Sequence, residues 1–216
     1  MPRQGIGHVE TDAGMRRPSG RRTMLRVVKL GGSLYRVPEL AQCLAALAAA
    51  GGETVLVPGG GPFADVVRTV QTHSGISDAA AHHMAILAME QYGLMLCDLN
   101  PSLVPADSLG NIGHALRQGF TPVWMPGEMC RHAAELPQNW SVTSDSLAAW
   151  LAIQLSADNL TLVKYGQPTD TDPLAMAASG WVDQGFPAFA NAFDGSLRVL
   201  DFHGASTISA WLLEPT

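Results

Sequence analysis

The sequence predicts an α/β protein, a three-layer α/β/α sandwich around a mostly parallel central sheet. Three observations lead there. Short apolar runs alternate with longer segments of helical spacing, the pattern of strands joined by crossover helices that cover both faces of a sheet. Two successive runs end in glycine clusters, and the loops after strands are where such sheets bind ligands. The chain is 47% apolar and only 15% charged over 216 residues, enough for one α/β domain with a sizeable core.

"LRVVKL" (25–30) reads as the first strand. Residues 37–50, "VPELAQCLAALAAA", carry Ala and Leu at helical spacing, and Gly51-Gly52 stops them as a C-cap would. "TVLVP" (54–58) is the second strand, and "PFADVVRTVQTH" (62–73) opens a helix on a proline. A long helix spans 77–97 with Ser77 or Asp78 as its cap. A short helix near 108–118 precedes "TPVWMP" (121–126), the third strand. "TSDSLAAWLAIQLSA" (143–157) is a capped helix, followed by the strands "NLTLVKY" (159–165) and "SLRVLDF" (196–202) and a short helix from about Ser206.

Residues 24–216 are expected to form a single domain. Residues 1–23 hold five arginines against Glu10 and Asp12. They read as a disordered basic leader, or as the product of a start upstream of Met24. The net charge is −6, and the first 23 residues contribute +3, so the body carries −9. An acidic body offers no footprint for nucleic acid. No apolar run is long enough to cross a bilayer. Cys43, Cys97 and Cys130 are scattered, neither a disulfide framework nor a zinc set, which suits a reducing cytoplasm.

The chemistry is sought after the strands. Lys29-Leu30-Gly31-Gly32-Ser33 and Pro58-Gly59-Gly60-Gly61-Pro62 close two of them. Glycines let a ligand approach the main chain, and successive N–H groups ahead of a helix form an anion nest. Either loop alone reads as a tight turn. Two together, with a lysine ahead of one, point to phosphate. Lys29 sits in an apolar strand that looks central, so its ammonium is aimed at the crevice, where it would neutralise a transferring phosphoryl group. No G-x-x-x-x-G-K-[ST] is present, which excludes a P-loop. Gly59–Ala64 does match G-x-G-x-x-[GA], but the acidic residue expected about 20 positions on falls in the long helix near Asp78.

"VKLGGSL", "VLVPGGGPFADVVR" and "WSVTSDSLAAWLA" resemble the amino-acid-kinase family of aspartate, acetylglutamate and uridylate kinases. The likeness covers most of 24–216. It is greatest to the branch that acts on (aminomethyl)furanylmethyl phosphate in methanofuran biosynthesis, a cofactor route of one-carbon metabolism. The resemblance implies a cytoplasmic, homodimeric kinase that uses ATP and Mg2+ on a small phosphate or carboxylate acceptor. Lys29 would bridge the transferring group. Gly31, Gly32 and Ser33 would line the nucleotide phosphates, with Thr143 and Ser144 beside them. Gly59, Gly60, Gly61 and Arg68 would face the acceptor. Asp145 would orient lysines and help place magnesium, through water rather than by direct ligation. Read from spacing alone, Asp145 is a helix-start residue favoured by the dipole.

One stretch departs from the family. After the strand at 160–163 the chain reads "VKYGQPTDTDPLAM" in place of a "TDVDGIY"-like loop. Lys164 is then open to three roles: a second phosphate-neutralising cation, a ribose contact, or a solvent-facing side chain. The same departure motivates a catalytically degenerate nucleotide- or anion-binding paralogue as an alternative. A uridylate-type kinase is another.

The remaining polar and aromatic candidates have ordinary readings. His82 and His83 are sequence neighbours and must face different directions on a helix, one toward the core or another subunit and one toward solvent. His73 and His114 are isolated. Asp201 and His203 follow the last strand and suit either the acceptor or a turn. Trp181, Phe186 and Phe189 read as core or dimer contacts, or as a wall for a furan ring. The nine methionines read as packing.

Overall fold

The computed structural model describes residues 24–203 and 205–213; the leader expected at 1–23 lies outside them. The described chain runs β1 (Arg26–Leu30), a 3₁₀ turn (Gly32–Arg36), α1 (Leu40–Ala49), β2 (Thr54–Pro58), α2 (Gly61–Ser74), α3 (Asp78–Leu99), β3 (Leu103–Ala106), α4 (Leu109–Arg117), β4 (Thr121–Trp124) and α5 (Gly127–His132). It continues through α6 (Ser144–Gln154), β5 (Asn159–Lys164), α7 (Pro173–Ala178), α8 (Phe186–Ala192), β6 (Ser196–Asp201) and α9 (Ala205–Leu213).

The strands form one six-stranded sheet in the order β3-β4-β2-β1-β5-β6, and every pairing is parallel. β1 is central, between β2 and β5. Alternate residues of its strands feed two cores. Val28, Leu30, Leu56 and Val163 pack with Leu44 and Leu47 of α1, Tyr92 of α3 and Ile208 of α9. Val27, Val55, Val57, Leu160 and Leu162 pack with Leu147 and Leu151 of α6 and Phe186 of α8. That alternation is the three-layer sandwich the sequence predicts, because a side-chain period of two sends neighbours to opposite helical layers.

Four elements escape the sequence pattern. β3 is an edge strand of four residues with Pro105 inside it; proline is tolerated on an edge, where one ladder goes unused. "TPVW" is therefore the fourth strand, not the third, and it ends at Trp124. The short helices α5, α7 and α8 span six or seven residues each, too few for periodicity to register. The first helix also starts later than expected, at Leu40 rather than Val37, because a 3₁₀ turn occupies 32–36. The described residues contain no helix long and apolar enough to cross a membrane.

Candidate active site

β1 and β5 lie side by side, with Lys29 in register with Leu162. Lys164 stands two residues beyond Leu162, and residues two apart share a strand face. Both lysines therefore project into the layer that holds α6. The first turn of α6 carries Asp145 to them. Lys29 Nζ lies 2.8 Å from Oδ1 and Lys164 Nζ 2.8 Å from Oδ2. Lys164 also donates to the carbonyl of Trp181. Lys29 and Asp145 are buried, at 5% and 6% exposure.

These are the chain's only two lysines; every other Lys/Arg position is arginine. An ammonium is a compact charge with rotatable donors, suited to phosphate as a point charge. Lysine scarcity was a signal in the sequence, and it singles out Lys29 and Lys164 without any motif.

Burial works against the Asp145 charge, but the attraction of Lys29 and Lys164 outweighs it and holds the carboxyl below its ordinary value. Burial pushes the Lys164 ammonium down and Lys29 repels it, while Asp145 and Asp183 offset part of that. Two cations thus share the one carboxylate of Asp145, with Asp183 a second acid acting on Lys164. Both ammoniums keep donors that an anionic oxygen could take.

The two glycine loops meet beside this centre. Gly59 N–H donates to Leu30 O at 2.9 Å, and Gly31 N–H donates to Val163 O at 3.1 Å. A Cβ on Gly32 would stand 2.5 Å from Gly61 N, and one on Gly59 would stand 2.5 Å from Gly32 N. The main chains touch, so no larger residue fits. Gly61 adopts φ +54° against the Tyr92 ring. The amides of Gly32 and Ser33 open the 3₁₀ turn, and those of Gly60 and Gly61 open α2. There the helix supplies no acceptor for them.

Thr143 and Ser144 lie toward Gly60. With Gly60, Arg68, His82 and Trp140 they line a cavity of about 90 Å³, floored by Ile86, Met89 and Leu147. The Arg68 guanidinium stacks 3.9 Å over the Trp140 ring, and Trp140 Nε1 donates to Gln71 Oε1 at 2.5 Å. His82 Nδ1 lies 3.1 Å from the Asn139 carbonyl, and burial lowers its pKa.

Asp183 is the member of this region that sequence reasoning missed. It accepts from Thr143 N–H at 3.0 Å, Thr143 Oγ1 at 2.7 Å, Ser146 N–H at 3.1 Å and the Ser146 hydroxyl. Thr143 is the N-cap of α6, yet its side chain makes no cap bond of its own. No local pattern reveals a cap supplied from 40 residues downstream.

The other candidates fall as follows. His82 is buried and His83 exposed. His73 binds the Thr69 carbonyl within its own helix, and His114 lies on α4. Asp201 pairs with His203 at 2.8 Å and accepts from Gly166 N–H at 2.6 Å. That places both on the β5–β6 side, three strands from the Gly59–Gly61 loop on β2. Phe186 is core, and Trp181 and Phe189 pack against it. Met89, Met125 and Met176 are buried packing. Cys43 and Cys130 are pushed up to about 12 by burial and Cys97 to about 11. No group of three His, Cys, Asp or Glu among the described residues is placed to hold a metal ion.

Comparison with known proteins gives the following. The model of the amino acid kinase family matches residues 24–165. A [5-(aminomethyl)furan-3-yl]methyl phosphate kinase of Methanocaldococcus jannaschii is 28% identical over 129 residues. That match spans 59% of this chain and 59% of the relative's length. The uridylate kinase of Archaeoglobus fulgidus superposes with a TM-score of 0.66 at 16% identity, covering 88% of this chain and 97% of that one. UMP kinase of Ureaplasma parvum gives 0.67 at 16%, covering 90% and 97%. Aspartate kinase of Synechocystis gives 0.55 at 16%, covering 81% and 38%. At these identities the structural likeness is one of fold.

Proposed function

The chain belongs to the amino acid kinase family, and from that premise we propose that it transfers the γ-phosphoryl group of Mg-ATP to a small phosphate acceptor. The acceptor we propose is [5-(aminomethyl)furan-3-yl]methyl phosphate, taken to its diphosphate, by likeness to the Methanocaldococcus jannaschii kinase. The observation that carries the reading is the convergence of Lys29 and Lys164 on Asp145 at the end of strands whose two glycine loops touch through their main chains.

An acceptor phosphate is already anionic near neutral pH, so its oxygen attacks the γ-phosphorus without a general base. A P–O bond forms to the acceptor, the bond to the β-phosphate oxygen breaks, and ADP leaves with the electron pair. No proton need move. The work left for the protein is positioning and charge neutralisation. Gly31, Gly32 and Ser33 take the nucleotide phosphates. Gly59, Gly60 and Gly61 take the acceptor phosphate, with Arg68 at the mouth. Lys29 and Lys164 balance the charge that spreads over the transferring group. Magnesium arrives as part of the nucleotide substrate. Asp145 holds both lysines, Lys29 at Oδ1 and Lys164 at Oδ2, each at 2.8 Å.

We place the enzyme in the cytoplasm and as a homodimer, for which exposed Val66, Leu87 and Leu94 on α2 and α3 offer apolar surface. The test is a coupled ADP-release assay with the aminomethylfuran phosphate, UMP and aspartate as acceptors. ADP release with the furan phosphate alone is expected. Preference for UMP would make it a uridylate-type kinase. ATP binding without turnover on any acceptor would make it a degenerate paralogue.

A further inference from the structure

We infer that Asp183 is a positioning residue of the charged centre: it fixes the start of α6 so that Asp145 is aimed between the two lysines, and its segment holds Lys164 through the Trp181 carbonyl. The inference rests on the kinase reading for its catalytic consequence, but its geometry stands apart from that reading.

The hydrogen bonds bracket the residue that matters. Asp183 holds Thr143 through both N–H and hydroxyl, and Ser146 through both N–H and hydroxyl. Ser144 and Asp145 are the two residues between. A carboxylate at a helix start accepts amides that the helix cannot satisfy and also meets the favourable end of the dipole. An ordinary N-cap supplies one such bond from the preceding residue. Here four bonds come from a distant segment, and Asp145, buried within it, has its side chain fixed relative to β1 and β5.

The same segment reaches Lys164 twice. Two residues before Asp183, the Trp181 carbonyl accepts from Lys164 Nζ. Asp183 itself attracts that ammonium, opposing the repulsion of Lys29. The charged groups around Lys164 are Lys29 from β1, Asp145 from α6, Asp183 from the segment before α8, and Asp201, its register partner on β6. Asp201 is committed to Gly166 N–H and His203. Asp183 is thus the second carboxylate that favours the charged form of Lys164, which the transfer step needs.

The two-lysine composition makes the test clean. Uniform lysine labelling with ¹³C gives two side-chain Cε signals in the full chain, assigned by Lys164→Arg. Asp183→Asn retains the size of the side chain and removes its charge. The Lys164 titration midpoint is expected to fall by roughly half to one pH unit, with the Lys29 signal less affected. In the ADP-release assay kcat is expected to drop by about ten- to a hundredfold with KM for ATP changed little, and the alkaline limb of its pH profile to move down with the Lys164 signal. A lower melting temperature with an unmoved Lys164 midpoint would make Asp183 a structural cap only and overturn the inference. Should Asp183→Asn not fold, Ser146→Ala removes one of the four bonds and is read the same way: a lowered Lys164 midpoint supports the inference, an unmoved one overturns it. The lysine titration needs no turnover, so absence of kinase activity would fail the functional reading without touching this one.

Discussion

Lys29 and Lys164 meet at the two oxygens of Asp145, each at 2.8 Å, because their strands pair in a register that leaves them on one face. A shift of either strand by one residue would send a lysine to the α1 layer. The parallel ladder is therefore what builds the charged centre. Lys29→Ala is expected to lower kcat by about 10²–10³ while far-ultraviolet circular dichroism stays native. Near-normal turnover would remove Lys29 from the chemistry.

Asp145→Asn tests the same centre from the opposite charge. Removing the carboxylate takes from buried Lys29 and half-buried Lys164 the counterion they share, leaving Asp183 acting on Lys164 alone. Breaking a buried ionic cluster by deleting one partner costs about 3–5 kcal/mol, so urea unfolding should show a loss of that order. Phosphate or ATP should restore much of it, because an anion can take the place of the lost charge. A variant as stable as the parent, and indifferent to phosphate, would contradict the role of Asp145 as the shared counterion of the two lysines.

The pH dependence has opposite signs on the two sides. Asp145 is held below its ordinary value by the lysines. Its contribution to stability is complete above about pH 4 and is lost as the pH falls further, since the unfolded chain then takes up a proton that the folded one refuses. Lys164 is lowered, so its charge opposes folding until the pH rises through its folded value. Between that value and the ordinary lysine range, stability gains as the folded state releases the proton first. Activity should fail at alkaline pH before the fold does. Denaturant titrations and rate measurements across the same pH series check both limbs.

The sheet was legible wherever a strand is buried on both faces. "RVVKL", "TVLVP" and "NLTLVK" are nearly continuous apolar runs, and the structure places them at β1, β2 and β5. β3 was not legible, because an edge strand needs neither length nor the exclusion of proline. Lys29 stood out as a cation inside an apolar run. Asp145 did not stand out from spacing, because an acid in the first turn of a helix is ordinary; the family resemblance singled it out. Asp183 lies in "WVDQGFPAF" (181–189), a stretch that shares the family likeness, but its role was not legible, since its partners Thr143 and Ser146 lie far away in sequence. A threonine before a helix looks self-sufficient as a cap, whereas here its hydroxyl is spent on Asp183.

Gly32→Ala probes the contact between the loops. The new methyl would stand 2.5 Å from Gly61 N and 2.9 Å from Gly61 Cα. Both atoms are backbone, so relief requires the β1 and β2 loops to part. The expected outcome is a fall of several degrees in melting temperature together with loss of ATP affinity by calorimetry. Gly75→Ala, at a positive-φ turn with open space around it, is the control. It should strain the turn without touching ATP binding. Equal ATP affinity in Gly32→Ala and the parent would show that nucleotide phosphates do not use these amides.

Amine chemistry offers a measurement free of mutation. Besides the chain's α-amino group, Lys29 and Lys164 are the only primary amines present. The Lys164 side chain is 15% exposed and that of Lys29 7%, and burial pushes the Lys164 ammonium down. A mild acylating reagent near pH 8 should therefore modify Lys164 first, as read by peptide mass spectrometry. ATP should slow its modification by about tenfold or more at concentrations well above its dissociation constant. Two effects act together. The bound phosphates cover the amine, and their charge favours the unreactive ammonium form. Modification of Lys164 at the same rate with and without ATP would mean that the nucleotide phosphates sit elsewhere, and the convergence of the two lysines would then need a role other than phosphoryl transfer.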